Sequence, residues 1–316
     1  MKHILITGIA GYIGTRIAQA LLDHDQGMQV VGIDIREPSF SHPNLTFIRQ
    51  DVREPIIDLL KTRNIDTIVH TAYVLAPDHD TRRMEEINVL GTKNILEGAR
   101  EAGVTQILYT SSTTAYGFYP DNEIPLTEDS PLRGNDDFTY AKNKKEIEAL
   151  VAVFVKENPG ISVTVLRPCY VAGPGLDNPL STHLKKSFVP LIKDTAPLQY
   201  VHEDDLIRIM VLCLEQKLAG IFNVSGDGTI TFPAMVKLLG NTPVLLPEFL
   251  VRLFNGLAWH LRLTWVTQFP NPALNLMRHP WIATSKKLVK TTGYKFEYDT
   301  QGAFSAFADH IKKEEK

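Results

Sequence analysis

Two side chains with proton-transfer chemistry lie one helical turn apart near the middle of the chain. Tyr140 and Lys144 stand at positions i and i+4, so on a helix both project from the same face. A tyrosine is a poor base at neutral pH because its ordinary pKa is about 10. A neighbouring ammonium is expected to lower that pKa and to let the pair exchange a proton with a substrate oxygen. A solvated helix face is the plainer interpretation of this spacing, so the pair needs support from other residues.

A run of hydroxyl side chains supplies some of that support. Residues 110–117 read TSSTTAYG and follow an apolar, strand-like segment. Ligands of open parallel sheets bind at the carboxyl ends of the strands. Ser112 is therefore placed to hold the substrate oxygen that Tyr140 protonates, although the run is also compatible with an ordinary Ser/Thr turn.

A glycine-rich loop near the N-terminus is typical of a dinucleotide site. Gly8, Gly11 and Gly14 follow the first apolar segment and open the first helical one. Glycine permits a tight turn and the close approach of a pyrophosphate, and the free N–H groups of the helix start attract its charge. The predicted cofactor contacts in this loop include its intervening residues Ala10, Tyr12 and Ile13.

Two acidic residues end the next two predicted strands. Asp34 is placed to accept hydrogen bonds from the adenosine ribose and to repel a 2′-phosphate, which favours NAD over NADP. Ile35 and Arg36 follow it, and Arg36 is a counter-signal because a guanidinium attracts phosphate. Asp51, followed by Val52, is placed near the adenine, although either acid alone is also a common turn residue.

The elements that must position these residues alternate regularly. Apolar, strand-like segments and helical segments follow one another up to Pro168, which predicts an α/β fold. We expect a Rossmann-type, doubly wound parallel sheet over residues 1–168. Residues 169–316 are rich in proline and helical pattern, and we expect a smaller, mostly helical substrate region there. Part of the chain near 198–224 is expected to return to the sheet.

The motifs together resemble the extended short-chain dehydrogenases/reductases, the NAD-dependent epimerase/dehydratase family. The resemblance covers residues 7–167 and, more weakly, continues to Asn223. Its motifs are Thr7–Gly14 (TGxxGxxG), His70–Ala72 (HxA), Asn88–Thr92 (NxxGT), Ser111–Gly117 (SSxxxYG), Tyr140–Lys144 (YxxxK), Arg167-Pro168, Gly173–Gly175 (GPG), Tyr200–Asp205 and Phe222–Gly226.

This resemblance implies NAD as cofactor and hydride transfer at a secondary alcohol or ketone. It implies that Lys144 also binds the nicotinamide ribose and that two long helices pair across a homodimer. Further cofactor contacts are expected from residues Thr71, Ala72, Tyr73, Asn88, Tyr140 and Pro168.

Departures from the family pattern bear on the reaction and the substrate. Dehydratases and decarboxylases carry an acid where this chain has Thr114, beside Thr113, and a threonine is no base near neutral pH. Dehydration and decarboxylation are therefore not expected. Tyr170 and Leu198 stand where relatives place an Asn and an Arg that grip a sugar diphosphate. Substitutes are available in Lys185, Lys186 and Lys193, so a nucleotide-sugar 4-epimerase remains an alternative, as does a non-catalytic NAD(H) sensor.

The composition and net charge of the chain limit the classes of partner that it is expected to bind. The net charge of −3 favours neither nucleic acid nor an anionic membrane. Cys169 and Cys213 form no disulfide framework, which fits a cytoplasmic enzyme, and the scattered histidines predict no metal site. The apolar segment 247–266 is expected to pack over the substrate as a lid or pocket wall, with a membrane-surface helix as the weaker alternative. The predicted partner besides the second protomer is a small-molecule substrate.

Overall fold

A parallel sheet forms the centre of the fold. The computed structural model describes residues 3–25 and 27–314, and within them seven strands form this sheet and four others pair as two small sheets. The strands, in chain order, are β1 (His3–Thr7), β2 (Gln29–Asp34), β3 (Leu45–Arg49), β4 (Thr67–His70), β5 (Gln106–Thr110), β6 (Ser162–Pro168), β7 (Tyr170–Ala172), β8 (Phe188–Ile192), β9 (Tyr200–His202), β10 (Gly220–Val224) and β11 (Thr242–Leu246).

The strand order of the central sheet determines where a binding crevice can open. It runs β10-β6-β5-β4-β1-β2-β3, and all its pairs are parallel. The chain winds outward from β1 through β2 and β3, then returns to β4 on the other side of β1. A crevice opens at such a switch point, at the carboxyl ends of the strands. The prediction of a doubly wound α/β sheet is confirmed.

Helices surround this sheet and continue into the C-terminal half. They are α1 (Tyr12–His24), α2 (Ile57–Thr62), α3 (Thr81–Glu85), α4 (Gly91–Ala102), α5 (Thr139–Glu157), α6 (Pro179–Leu184), α7 (Glu203–Glu215), α8 (Phe232–Leu238), α9 (Glu248–His260), α10 (Asn275–Arg278), α11 (Lys286–Thr292) and α12 (Thr300–Glu314). Short 3₁₀ turns span Thr113–Tyr116 and Asn271–Leu274.

Alternating side chains bury both faces of the sheet. Ile4 and Ile6 of β1 pack in one cluster with α1 and α7, whereas Leu5 packs in another with α2, α4 and α5. Successive residues of a strand point to opposite faces, so a strand covered on both sides is apolar throughout. A third core gathers α6, α8, α12 and the segment around Tyr116. The strands of the central sheet are therefore covered on both faces.

The helical segment from Thr81 to Ala102 has an irregular middle. It begins at Thr81, passes through a π-helical turn over Glu86–Leu90 and continues as α4. π-turns occur frequently at functional sites. Asn88, fully buried in this turn, donates and accepts hydrogen bonds with the backbone of Val74. The turn thus fixes the loop that follows β4.

The C-terminal half contains more strand than its sequence suggested. β7 pairs with β9, β8 pairs with β11, and β10 joins the edge of the central sheet beside β6. The strand β10 lies within the segment 198–224 that we expected to return. The division of the chain at residue 168 stays a prediction. Across residues 3–25 and 27–314, none of the helices has the length and apolar character needed to cross a membrane.

Candidate active site

The loop from β1 to α1 is built around its glycines. Gly8 has a φ of +72°, and a Cβ there would lie 2.7 Å from the backbone of Ala72. A Cβ on Gly14 would lie 2.1 Å from the Gly8 carbonyl oxygen, so only glycine allows α1 to begin this close to the loop. The N-cap Gly11 provides no side-chain hydrogen bond to the first turn of α1. The free N–H groups there suit a pyrophosphate.

Asp34 lies at the other side of this loop, at the end of β2. Its carboxylate accepts hydrogen bonds from the backbone N–H groups of Ala10 (3.1 Å) and Arg36 (3.0 Å). Asp34, Ile35 and Arg36 all line one cavity of about 750 Å³, the main cavity of the candidate site. The acid and the neighbouring guanidinium therefore face the same space, where a ribose is expected.

Asp51 is held by a partner that the sequence reasoning did not consider. The Arg53 guanidinium donates to both its carboxylate oxygens, at 3.0 and 2.7 Å, and keeps the pKa of Asp51 below its usual range. Asp51 and Val52 line the cavity. The spacing Asp-x-Arg was the available signal for this ion pair.

The loop after β4 forms the floor of the cofactor half. Thr71 donates to the Thr7 carbonyl (2.7 Å), and Tyr73 donates to the carbonyl of Tyr140 (3.0 Å). Thr71, Ala72, Tyr73 and Pro168 line the cavity, as do Gly8, Gly11, Tyr12, Ile13 and Gly14. Ala10 and Asn88 are not in the lining. They act instead through Asp34 and through the backbone of Val74, so they position the cavity wall.

Sequence reasoning also missed a buried acid at the start of α7. The Glu203 carboxylate accepts hydrogen bonds from Tyr12 Oη and from the Gly175 N–H (3.1 Å) and pairs with Arg16 at 3.0 Å. It joins the start of α1 to the loop after β7. The acidic run at 203–205 was visible in the sequence, but nothing indicated that Glu203 and Asp205 would be buried.

Tyr140, Lys144 and Ser112 converge on the same cavity. Lys144 is buried and donates to the Thr110 carbonyl (2.9 Å), and burial lowers its pKa to about 7. Its Nζ lies 5.9 Å from the centre of the Tyr140 ring. Ser112 Oγ accepts a hydrogen bond from the Thr114 N–H (3.2 Å).

The expected effect of Lys144 on Tyr140 does not appear in this geometry. Burial raises the pKa of Tyr140, and the groups that offset the rise are the hydroxyls of Ser112 and Thr114. Lys144 is not among the groups that offset the rise, so the lowering of the Tyr140 pKa by the ammonium stays a prediction. Desolvation outweighs a charge at this distance.

A buried ion pair stands behind these residues. Arg167 Nε donates to the Glu148 carboxylate at 2.9 Å, and Arg167 Nη1 donates to Tyr116 Oη at 2.7 Å. Tyr116 donates in turn to Asn223 Oδ1 (2.8 Å), and Ser111 donates to Glu148. The network ties the ends of β5, β6 and β10 to α5. It explains why Arg167 and Asn223 belong to the motif pattern although neither lines the cavity.

His70 is buried with both ring nitrogens engaged. Its ring nitrogens bond Thr7 Oγ1 (2.6 Å) and Thr92 Oγ1 (2.9 Å), and burial lowers its pKa to about 3. A histidine that stays neutral at physiological pH and has both nitrogens engaged cannot shuttle protons. In the part of the chain that the structure describes, no group of three or more His, Cys, Asp or Glu side chains could hold a metal ion.

The cavity that joins these groups has a volume of about 750 Å³. Its far wall is apolar and comes from segments that the sequence reasoning did not select. The wall residues are Phe118, Phe138, Tyr170, Leu176, Leu180, Phe269, Leu276 and Trp281.

The segment 247–266 does not contribute to this wall, so the pocket-wall prediction is wrong. Helix α9 packs by its other side, and its large apolar side chains point outward. The large apolar residues of the segment 247–266 that are more than half exposed are Phe249, Leu253, Phe254, Leu257, Leu261 and Trp265.

The lysines proposed as phosphate substitutes also lie outside the cavity lining. Lys186 donates to the Val266 carbonyl (2.8 Å), and Lys185 lies above the Phe307 ring. Lys193 lines a separate, open depression beside Arg278. Leu198 is fully buried in the core, whereas Tyr170 reaches the cavity.

Known protein sequences resemble this chain over most of its length. The model of the NAD-dependent epimerase/dehydratase family matches residues 4–225. An uncharacterized protein of Mycobacterium tuberculosis is 27% identical over 316 residues, covering 97% of this chain and 83% of the relative. A UDP-glucose 4-epimerase of Corynebacterium glutamicum is 30% identical over 260 residues, covering 71% and 76%.

Solved structures share the fold over the whole chain. A UDP-glucose 4-epimerase of Thermotoga maritima, solved with UDP-glucose, has a TM-score of 0.79 at 19% identity, covering 99% of this chain and 100% of that one. A UDP-glucuronic acid 4-epimerase of Bacillus cereus, solved with NAD, has a TM-score of 0.76 at 21% identity, covering 99% and 100%.

Proposed function

The chain belongs to the NAD-dependent epimerase/dehydratase family, and on that premise we propose that it transfers a hydride at a secondary alcohol or ketone carbon. Tyr140 and Lys144 act as the acid–base pair, and Ser112 holds the reacting oxygen. The observation that carries the proposal is the convergence of these three side chains on one cavity with the Gly8–Gly14 loop and Asp34.

The shape of the cofactor site is suited to NAD. The start of α1 has free N–H groups, and glycines leave room for a pyrophosphate where a Cβ would clash. Asp34 offers a carboxylate to the ribose. When bound, NAD accepts or supplies the hydride. The cofactor residues proposed from the sequence, including the positioning residues Ala10 and Asn88, remain the set we assign.

The residues of the chain then handle the proton. Tyr140 Oη gives a proton to the substrate oxygen or removes one from it, and Ser112 Oγ keeps that oxygen in hydrogen-bond reach. Lys144 stays beside Tyr140 and binds the nicotinamide ribose. Thr113 and Thr114 cannot act as bases, which supports redox or epimerase chemistry over dehydration.

Calorimetry and turnover together test the proposal. Tyr140→Phe should bind NAD with unchanged affinity and lose at least about a hundredfold in rate, because only the hydroxyl carries the proton. Lys144→Met should weaken both NAD binding and turnover. A parent protein that fails to bind NAD, or a Tyr140→Phe variant that keeps most of the rate, would overturn the assignment.

The nucleotide-sugar 4-epimerase is the second candidate, favoured by the relatives that carry this activity. An epimerase regenerates its own cofactor and retains it, whereas a dehydrogenase exchanges it. Mass spectrometry of nucleotide carried through native purification separates the two. A non-catalytic NAD(H) sensor, the third candidate, would bind NAD and turn over no substrate.

For partners we propose a small-molecule substrate and a second copy of the chain. The neighbouring helices α4 and α5 support a homodimer, since Val153 and Val155 of α5 and Leu90 before α4 are exposed. Sedimentation of the parent and of Val153→Glu tests it, with a monomeric parent as the contrary result. The two buried free cysteines support a cytoplasmic location, and the net charge of −3 favours neither nucleic acid nor membrane as a partner.

A further inference from the structure

The cavity changes character on either side of Tyr140. Toward the nucleotide loop it is lined by glycines, acids and arginines. Beyond Tyr140 a chain of rings lines it, with Phe138 6.1 Å from Tyr140, Phe118 6.2 Å from Phe138, and Trp281 5.1 Å from Phe118 between ring centres. Tyr170 closes the row at 5.5 Å from Trp281. A substrate extending from Tyr140 therefore meets an aromatic wall.

The positive charges of the described lining are all on the cofactor side. Arg36 follows Asp34, Arg83 lies near enough to Asp51 to help lower the pKa of that carboxyl, and Lys144 is buried behind Tyr140. Asp177, next to the wall residue Leu176, is the charged residue that the wall segments contribute to this lining, and it is a carboxylate. A diphosphate bound there would meet an anion and no cation, although phosphate recognition depends on charge-assisted hydrogen bonds.

One hydroxyl in the cavity is not satisfied by the protein alone. Thr114 is 8% exposed, and its Oγ1 completes no hydrogen bond of ordinary distance and angle within the described residues, although it lies close enough to Tyr140 to offset the rise in the pKa of that phenol. Among the buried side-chain polar atoms that lack a partner there, it is the one that belongs to a residue of the cavity lining. Buried hydroxyls are nearly always satisfied. Since Ser112, Thr114 and Tyr140 lie together, a substrate oxygen is a natural partner.

We propose that the substrate is an uncharged, largely apolar ketone or secondary alcohol. Its ring or branched body packs against Phe118, Tyr170 and Trp281, and its reacting oxygen accepts or donates hydrogen bonds among Ser112, Thr114 and Tyr140. Thr114 is thereby a specificity-determining residue. This inference rests on the proposed function, because it uses the same site and the same proton transfer.

The reaction balances with NAD as the oxidant. In the oxidative direction Tyr140 first releases its phenolic proton to solvent. The alcohol then gives its hydroxyl proton to the phenolate, and its carbinol hydrogen would leave with the electron pair to NAD⁺. A ketone, NADH and the neutral tyrosine result. Reduction is the reverse, with NADH as the reductant.

The test uses the full chain with NAD and two sets of probes. The first set contains 1-phenylethanol, 4-phenyl-2-butanol and a 3-hydroxysteroid. The second contains UDP-glucose, UDP-glucuronic acid and free galactose. NADH absorbance follows oxidation, chromatography follows epimerisation, and calorimetry on the NAD-loaded protein measures binding. We expect kcat/KM for at least one ring alcohol to exceed that for every sugar probe by tenfold or more.

Variants at Thr114 sharpen the result. Thr114→Val removes the orphan hydroxyl at nearly constant volume and should lower kcat/KM for the ring alcohol about tenfold without lowering the melting temperature. Thr114→Ser should restore most of the loss. Thr113→Val is the matched control, because Thr113 Oγ1 donates to the Pro168 carbonyl (3.3 Å) and does not line the cavity, so kcat/KM should stay within twofold.

The outcomes separate this inference from the function beneath it. Micromolar binding of a UDP-sugar, or its epimerisation with loss of that turnover in Tyr140→Phe, would overturn the substrate class and leave the proposed function standing. The substrate class would also be overturned if the protein bound NAD but bound none of the three alcohols of the first set measurably at millimolar concentration. Absence of NAD binding would remove both.

Discussion

Lys144 Nζ lies 3.8 Å from the centre of the Tyr73 ring, so the ammonium of the catalytic pair packs on an aromatic face. The Thr110 carbonyl accepts its hydrogen bond at 2.9 Å. These contacts hold the cation where burial opposes its charge, and they leave it 5.9 Å from the centre of the Tyr140 ring. The site thus holds this amine in place before any substrate arrives, while burial opposes its charged form.

The first prediction concerns stability and pH. Burial lowers the pKa of Lys144 from 10.5 to about 7, so between these values the unfolded chain binds the proton and the folded chain does not. Stability should therefore rise with pH across this window, by up to about 1.4 kcal/mol per pH unit, and this contribution should level off below about 7, where both states bind the proton. Lys144→Met lacks this contribution.

Urea unfolding of the parent and of Lys144→Met at pH 7, 8, 9 and 10 measures it. The parent should gain free energy of unfolding relative to the variant at each step. Lys145→Met is the control, since Lys145 is on the same helix and pairs with the exposed Asp136 at 2.9 Å. A parent–variant difference that stays constant across the four pH values would contradict the prediction.

The second prediction concerns cofactor choice. The Asp34 carboxylate shares the cavity with Arg36, so removing each charge should shift the preference in opposite directions. The parent should bind NAD at least about tenfold more tightly than NADP, equivalent to about 1.4 kcal/mol. Asp34→Asn should narrow this ratio, and Arg36→Gln should widen it.

Calorimetric titration of all three proteins with both cofactors gives the ratios. Each variant serves as the control of the other, because a general loss of binding would lower NAD and NADP affinity together. Equal or tighter NADP binding by the parent would mean that Arg36 decides the choice and that Asp34 does not face the ribose.

The sequence predicted the central sheet and its site because the determining signals are local. The glycines of the first loop, the strand-end acids and the spacing of Tyr140 and Lys144 each depend on neighbouring residues. The burial of Lys144 does not, because Tyr73 reaches it from the loop after β4, and Tyr109 and Thr110 reach it from β5. Its lowered pKa therefore followed only from the assembled fold.

The C-terminal half was harder to predict for two physical reasons. Strands β8 and β11 each contain a proline, Pro190 and Pro243, which argues against a strand when only the local sequence is considered. They pair across more than fifty residues, which no local pattern encodes. For α9 the apolar pattern predicted the helix, but not that Phe249 and Leu257 would face outward.

The third prediction concerns the glycine loop. Gly14→Ala would place a methyl group 2.1 Å from the Gly8 carbonyl oxygen, so α1 must shift away from β1. Overpacking of this kind costs about 1–3 kcal/mol of stability. NAD affinity should fall at least about tenfold as the helix N-terminus moves, since that corresponds to only about 1.4 kcal/mol.

Gly160→Ala is the matched control, because a Cβ there meets no atom within 4 Å. It should leave both the urea midpoint and NAD binding close to those of the parent. If Gly14→Ala bound NAD as the parent does, the loop would not be the pyrophosphate site.

The last prediction concerns the buried pair behind the site. Glu148 and Arg167 are each about 3% exposed in their side chains, and Glu148 also accepts the Ser111 hydroxyl. Glu148→Ala would leave a buried guanidinium with Tyr116 Oη and a backbone carbonyl as its remaining partners. Breaking such a pair by removing one partner costs about 3–5 kcal/mol, since the remaining charge stays desolvated.

Asp136→Ala is the control, because it breaks the exposed pair with Lys145 of the same helix and should cost less than about 1 kcal/mol. Replacing both members, as in Glu148→Leu with Arg167→Met, should recover much of the loss, because no unpaired charge remains. Urea unfolding at pH 7 orders the four proteins, and a Glu148→Ala variant as stable as Asp136→Ala would show that water reaches Arg167 and that the network does not hold the strand ends.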